Sequence, residues 1–282
     1  MRTRLSLAVV LGIALFGSYV YAQFGDKPSV LSTITIKDDL FVIYNDLVPG
    51  NTTVLVTNQG LILVDNKFEI DFDNLMAQIR KISNQPIRYV INTHYHGDHS
   101  GGNPKMQAQS VQVVASERAH RRMVETNQPG APNVTLENSV RLYLGGKRVE
   151  VYHFGRAHTD GDVVAYFPDH RVVAMGDMFT IGDGLPPLVD YPGGGSTREW
   201  PHSLEGALKL DFDTAIPGHG KPGTKADLAK YRDSLTTLVR RVVDMQTKKA
   251  SRADVEKELR SRFGFQDFHI QLALDGMMAE LR

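Results

Sequence analysis

Four apolar runs in this chain end on a histidine or an aspartate near a glycine: "IRYVINTHYHGDHSGGN", "VYHFGRAH", "VVAMGD" and "TAIPGHG". No other feature constrains the fold as much. Short β-branched runs read as strands. Functional residues in loops gather where a rigid sheet presents its strand ends together. In extended chain, residues i and i+2 point the same way, so His94 and His96 aim at one point. A turn beginning near Gly97 swings Asp98 and His99 towards a second, adjacent point. His158, Asp177 and His219 occupy the other three strand ends, where glycine permits tight turns. Imidazole and carboxylate together suit Zn²⁺ and related divalent ions. A carboxylate such as Asp177 has two acceptor oxygens and is able to bridge two ions.

The remaining pattern alternates between strands and helices. "LSTITIKDDLFVIYN" and "TTVLVTNQGLILVDN" each read as two strands, the second pair turned at Asn58-Gln59-Gly60. "DFDNLMAQIRKI" spaces Phe72, Leu75, Met76 and Ile79 at helical intervals. "VQVVAS" reads as a strand and "ERAHRRMVE" as a helix. "VRLYLGGKRVEVYHF" reads as a hairpin turned at Gly145-Gly146. A Gly/Pro-rich loop from Ile181 to Thr197 precedes helical "TREWPHSLEGALKL". From Thr224 onward the chain reads as helical, with Thr224/Asp227 and Ser251/Asp254 as capping boxes. Strands followed by helix, in two halves, predict an α/β sandwich with sheets inside and helices outside.

Composition removes several classes. With 282 residues, 41% of them hydrophobic, the chain can bury a large core. It contains no cysteine, which excludes thiolate metal sites, disulfides and cysteine nucleophiles. Basic and acidic residues number 32 each, so no whole-chain field selects for nucleic acid or an anionic membrane. Residues 1–22 read as a signal peptide: Arg2 and Arg4, an apolar stretch from Leu5 to Phe16, and Val20-Tyr21-Ala22 before Gln23. The apolar stretch is long enough for an uncleaved anchor, but the cleavage motif favours removal. Losing Arg2 and Arg4 leaves 30 basic residues against 32 acidic ones. The expectation is a periplasmic or secreted protein with a single domain over residues 23–282 and no stable membrane association.

The H-x-H-x-D-H run with later His, Asp and His at strand ends resembles the metallo-β-lactamase superfamily, over most of the chain from Ile34 onward. "GRAHTDGD" and "AIPGHG" resemble the usual surroundings of its later histidines. The resemblance implies a four-layer αββα sandwich with two Zn²⁺ per chain at the sheet edge. It places His94, His96 and His158 on one ion and Asp98, His99 and His219 on the other, with Asp177 between them. It also implies that Asp98 orients an activated water, and that the reaction is hydrolysis of a carbonyl-type bond in a small molecule. One large lactamase group has cysteine at the position of Asp177. An aspartate there is more similar to the superfamily's thioesterases, lactonases, sulfatases and phosphodiesterases. No lysine follows Asp177 where some lactamases hold a substrate carboxylate. A lactam, lactone or ester is thus the expected substrate, with β-lactamase activity among the outcomes. The alternatives are an iron-dependent persulfide dioxygenase, a nuclease and a non-catalytic metal-binding protein. Export and neutral charge weigh against the nuclease.

Several residues invite a wall or supporting role. Tyr95 lies between two ligands, "DLVPGNTT" could overhang the site, and Tyr191 and Trp200 could belong to a lid; the alternative for each is ordinary loop packing, and for Trp200 core packing at a helix start. Asp162 could orient a histidine. Gly193 to Gly195 read as a flexible turn without the lysine context of a phosphate loop. His120, His153, His170, His202 and His269 read as solvated or packing residues rather than ligands.

Overall fold

The computed structural model describes residues 27–45, 48–180 and 186–282. The signal-peptide segment and residues 181–185 of the Gly/Pro-rich loop lie outside the described residues.

The first sheet begins as an antiparallel meander of β1 (Ser32–Lys37), β2 (Leu40–Tyr44), β3 (Thr52–Thr57) and β4 (Gly60–Val64). It continues with three parallel strands, β5 (Ile87–Ile91), β6 (Gln112–Ser116) and β7 (Val134–Leu136). Parallel neighbours need a crossover. The helices α1 (Phe72–Ile82), α2 (Gly97–Ser100), α3 (Asn103–Gln107) and α4 (Glu117–Glu125) lie in these connections. In α1, Phe72, Leu75 and Ile79 are buried, as their helical spacing predicts.

The second sheet starts with the hairpin of β8 (Ser139–Leu144) and β9 (Lys147–Tyr152). Gly145 and Gly146 both have positive φ, 55° and 79°, which a primed two-residue turn requires. The strands β10 (Val164–Phe167), β11 (Val172–Ala174), β12 (Thr214–Ile216) and β13 (Gly223–Thr224) complete it. Four further helices follow or flank these strands: α5 (Trp200–Leu208), α6 (Lys225–Thr247), α7 (Arg252–Phe263) and α8 (Asp267–Glu280). Both predicted capping boxes form, at Thr224/Asp227 and at Ser251/Asp254. Among the described residues no helix is long and apolar enough to cross a membrane.

Strand alternation sorts the core into layers. Leu40, Val42, Leu55, Ile62, Val64 and Ile91 face the other sheet, whose Val149, Val151, Ala165, Phe167, Val172 and Ile216 meet them. Their neighbours Ile43, Val54, Leu61, Leu63 and Val90 turn outward onto Leu75 and Ile79 of α1. On the far side, Val164, Val173 and Ala215 lie with Trp200, Leu204, Leu235 and Leu274 of the helices. The result is the predicted αββα sandwich.

Register brings the strand ends to one edge. Val64 of β4 pairs with Ile91 of β5 in parallel. In the second sheet Tyr152 pairs with Val164, Ala165 with Ala174, and Ala174 with Ile216. The C-terminal ends of β9, β11 and β12 therefore meet, and the loops after them carry His158, Asp177 and His219. Phe167 is fully buried between the sheets. Phe167→Ala is expected to cost about 3–5 kcal/mol, read as a fall in the denaturant midpoint of unfolding.

Candidate metal centre

The seven side chains singled out in the sequence converge. His94, His96, His158 and Asp177 form one cluster and Asp98, His99 and His219 a second; within each, the facing donor atoms lie within 4.8 Å of one another. His96 Nδ1 lies 3.0 Å from His158 Nε2. Asp177 reaches both clusters. Its Oδ2 lies 3.7 Å from His158 Nε2 and 4.0 Å from His94 Nε2. Its Oδ1 lies 3.3 Å from the Nε2 atoms of His99 and His219. Asp98 Oδ2 lies 3.4 Å from His99 Nε2 and 3.3 Å from His219 Nε2.

The donor set fits divalent cations. His94 Nε2, His99 Nε2, Asp98 Oδ1 and Asp177 Oδ1 are buried without a hydrogen-bond partner. Leaving one such atom unsatisfied costs about 1–3 kcal/mol. Four around one space are explained if that space receives cations.

The outward-facing ring nitrogens are held. His94 Nδ1 donates to Thr93 Oγ1 at 3.1 Å, and His99 Nδ1 to Asp65 Oδ2 at 2.8 Å. His96 Nε2 donates to Asp190 Oδ2 at 2.9 Å, and His158 Nδ1 to the Leu188 carbonyl at 2.5 Å. Each bond fixes a ring and turns its other nitrogen towards the cluster, as a metal ligand needs. Against burial, Asp190 raises the His96 pKa and Asp98 holds that of His99 well above the usual histidine range, so a cation bound there displaces a proton. Burial, reinforced by His99 and His96, pushes the His94 pKa well below the usual histidine range. Burial, with His96 beside it, pushes His158 down to about 4. Burial opposes ionisation of Asp98 and Asp177, yet the surrounding histidines hold both well below the usual carboxylate range.

Three supporting residues were not evident from the sequence. Asp65 follows the apolar run "LILV" as the ligands follow theirs, so the strand-end signal was present. Asp190 lies in a Gly/Pro-rich loop with no local signal. Lys67 is fully buried, donating Nζ to the carbonyls of Ile43 at 2.9 Å and Gly50 at 2.6 Å. Burial lowers its pKa to about 7, with Asp71, Asp65 and Asp98 opposing the shift. Lys67 thus ties the end of β2 to Gly50, which lies against the His99 ring.

Between a lid and packing, the neighbouring residues take the second. Trp200 packs in the core at the start of α5, as the alternative reading has it: it is fully buried and its indole N–H donates to Met178 O at 3.0 Å. Tyr191 packs into the helical layer and donates to Glu280. Tyr95 is buried and donates to Asp190 Oδ2 at 2.5 Å, so it supports the site from behind. The Asp162 carboxylate accepts from the Thr159 amide and hydroxyl at 2.8 and 2.6 Å and shapes the turn after His158, while its main-chain carbonyl accepts from His153 Nδ1 at 2.8 Å. Gly193 to Gly195 are wedged against Asp190, Asp160 and the His158 carbonyl rather than standing free. His170 and His153 lie outside both clusters, as expected: His170 binds Asp39 at 2.6 Å, and His153 lies between Arg118 and the Asp162 carbonyl.

A mixed sandwich with two His/Asp clusters at its edge defines a class of metal-dependent enzyme. Residues 45–219 match the metallo-beta-lactamase superfamily. The chain is 26% identical over 211 residues to the metallo-beta-lactamase type 2 of Bacillus sp. (strain 170), covering 72% of this chain and 79% of that one. It is also 26% identical over 228 residues to the metallo-beta-lactamase type 2 of Elizabethkingia meningoseptica, covering 78% and 89%. Among solved structures, the DIM-1 metallo-beta-lactamase superposes with TM-score 0.64 at 26% identity, covering 74% of this chain and 98% of that one. A metallo-beta-lactamase from Pontibacter korlensis superposes with TM-score 0.67 at 23% identity, covering 73% and 99%. The chain belongs to the metallo-β-lactamase superfamily and is a metal-dependent hydrolase.

Asp190→Asn keeps the shape of the side chain but removes the charge behind His96. It is expected to weaken metal binding about 10–100-fold, measured by competition with a chromophoric chelator.

Proposed function

We propose that the protein is a dinuclear zinc hydrolase acting on a carbonyl-type bond (a lactam, lactone or ester) of a small extracytoplasmic molecule. The observation that carries this reading is Asp177, whose two carboxylate oxygens face two separate histidine clusters. His94, His96 and His158 would hold one ion and Asp98, His99 and His219 the other, with Asp177 shared. Bound there, Zn²⁺ ions supply Lewis acidity and lower the pKa of water towards neutrality.

The chain's own residues supply the rest. Asp98 Oδ1 is buried and unpaired, so it can accept a hydrogen bond from an attacking water and fix its direction. Asp65, Asp190 and the Leu188 carbonyl hold the rings of His99, His96 and His158, so little reorganisation is needed as charge develops. The export signal read at residues 1–22 supports an extracytoplasmic substrate. The named lactamase relatives support a β-lactam as one substrate to test. The aspartate at position 177, in a chain without cysteine, supports lactones and esters beside it.

A panel of a cephalosporin, an acyl-homoserine lactone, an aryl ester, a thioester, an aryl sulfate and a phosphodiester tests the reading. At least one carbonyl substrate should turn over, and a chelator should abolish turnover until Zn²⁺ is restored. A single iron per chain with no chelator-sensitive hydrolysis would overturn the proposal. His96→Ala and Asp177→Ala should each abolish hydrolysis, and metal analysis should show fewer than two ions per chain.

A further inference from the structure

The final helix, α8, lies beyond the residues that match the superfamily, and two of its residues are poor local choices. Glu280 places a negative charge at the C-terminal end, where the helix dipole disfavours it. Gly276 weakens the helix interior. Both serve the same neighbour. The Tyr191 ring lies so close to Gly276 that a Cβ there would run into it. The Tyr191 hydroxyl donates to Glu280 Oε2 at 3.0 Å. Ser196 Oγ donates to Glu280 Oε1 at 2.5 Å, and the Arg198 amide to Oε2 at 3.3 Å. Arg198 Nη2 also donates to the Glu280 main-chain carbonyl at 2.8 Å. When local preference is broken at two positions on behalf of one contact, a role for that contact is indicated.

The segment so gripped is the one that orients the histidines. Gly193 N donates to Asp190 Oδ1 at 2.9 Å and Gly195 N to Asp190 O at 2.8 Å. Asp190 N donates to the His158 carbonyl at 2.9 Å and Ser196 N to the Ala157 carbonyl at 2.9 Å. Asp190 then holds His96 Nε2, and Leu188 O holds His158 Nδ1. Two of the three histidines of the first cluster are thus oriented by one loop, and that loop is fastened from outside by α8.

We propose that Glu280 is a positioning residue: through the Tyr191–Arg198 segment, the C-terminal helix sets the orientation of His96 and His158 and so the metal affinity of the three-histidine cluster. This rests on the metal-site reading above. The conventional catalytic residues would be intact in a chain lacking Glu280, yet one cluster would bind more weakly than the other.

The test uses the full mature chain and Co²⁺, whose visible spectrum reports ligand geometry. Glu280→Ala should weaken the cobalt site containing His96 and His158 about tenfold and alter its visible bands, while the site containing Asp98, His99 and His219 is unchanged. Glu280→Gln, which retains one acceptor oxygen, should restore part of the loss. Arg252→Ala serves as a control, because it breaks the pair between Arg252 of α7 and Asp275 of α8 without touching residues 191–198; it should leave both sites as they are. Equal cobalt affinities in Glu280→Ala and the wild type would overturn the proposal, as would an equal loss in Arg252→Ala. Amide exchange of the metal-free chain separates this idea from the metal reading. Gly193, Gly195 and Ser196 should exchange at least tenfold faster in Glu280→Ala, with β5 unaffected, and unchanged exchange would overturn the clamp. A wild type that binds no cobalt would overturn the metal reading itself.

Discussion

The buried Asp65 carboxylate is the point on which the site depends. It accepts the Thr93 amide at 2.7 Å, the Thr93 hydroxyl at 2.8 Å and His99 Nδ1 at 2.8 Å. Those bonds join the end of β4 to the loop after β5, and through Thr93 they reach His94 as well. Hydrogen bonds to an ionised group are worth about 1.5–3 kcal/mol each. They also sustain an unusual backbone. Asp65 and Lys67 have φ of 61° and 64°, a conformation that non-glycine residues hold only when surrounding structure imposes it. The strain lets the chain leave β4 sharply enough to put a carboxylate behind one histidine and the Lys67 amine beneath the neighbouring loop.

Neither sheet owns a complete metal cluster. His94 and His96 come from the first sheet, His158 and Asp177 from the second, and His219 joins Asp98 and His99 across the same seam. The packing between the sheets is therefore part of the site's geometry. Phe167 and Val151 lie buried in the seam and so help to set the distance across which the two clusters form. Conversely, ions that bind only the folded arrangement stabilise it by mass action.

What could be read from the sequence was local. Strand alternation, the capping boxes, the hairpin glycines and the strand-end ligands all reside within a few residues of one another. So does the H-x-H-x-D-H run; residues 93–95 bend rather than extend, and the short helix from Gly97 then separates Asp98 and His99 from His94 and His96. The missed features depend on distance along the chain. Asp190 meets His96 across 94 residues, and Ser196 meets Glu280 across 84. A three-residue strand such as β7 offers no alternation to recognise. Trp200 and Tyr191 border a Gly/Pro-rich loop and resemble exposed lid residues; their burial depends on α6 and α8 closing over them, which no local pattern in the loop announces.

The glycines around the centre bear on how the protein can change over generations. A side chain at Gly50 would enter the His99 ring, one at Gly195 the His158 carbonyl, and one at Gly218 the Asp177 carboxylate. The inner wall is main chain at these points, and it offers mutation no side chain to enlarge, shrink or recharge. A side chain is thereby tolerated only farther out, on the rim. The shape of the inner wall is therefore set by backbone conformation, and a substitution at these three glycines would displace a ligand or its support rather than reshape a pocket.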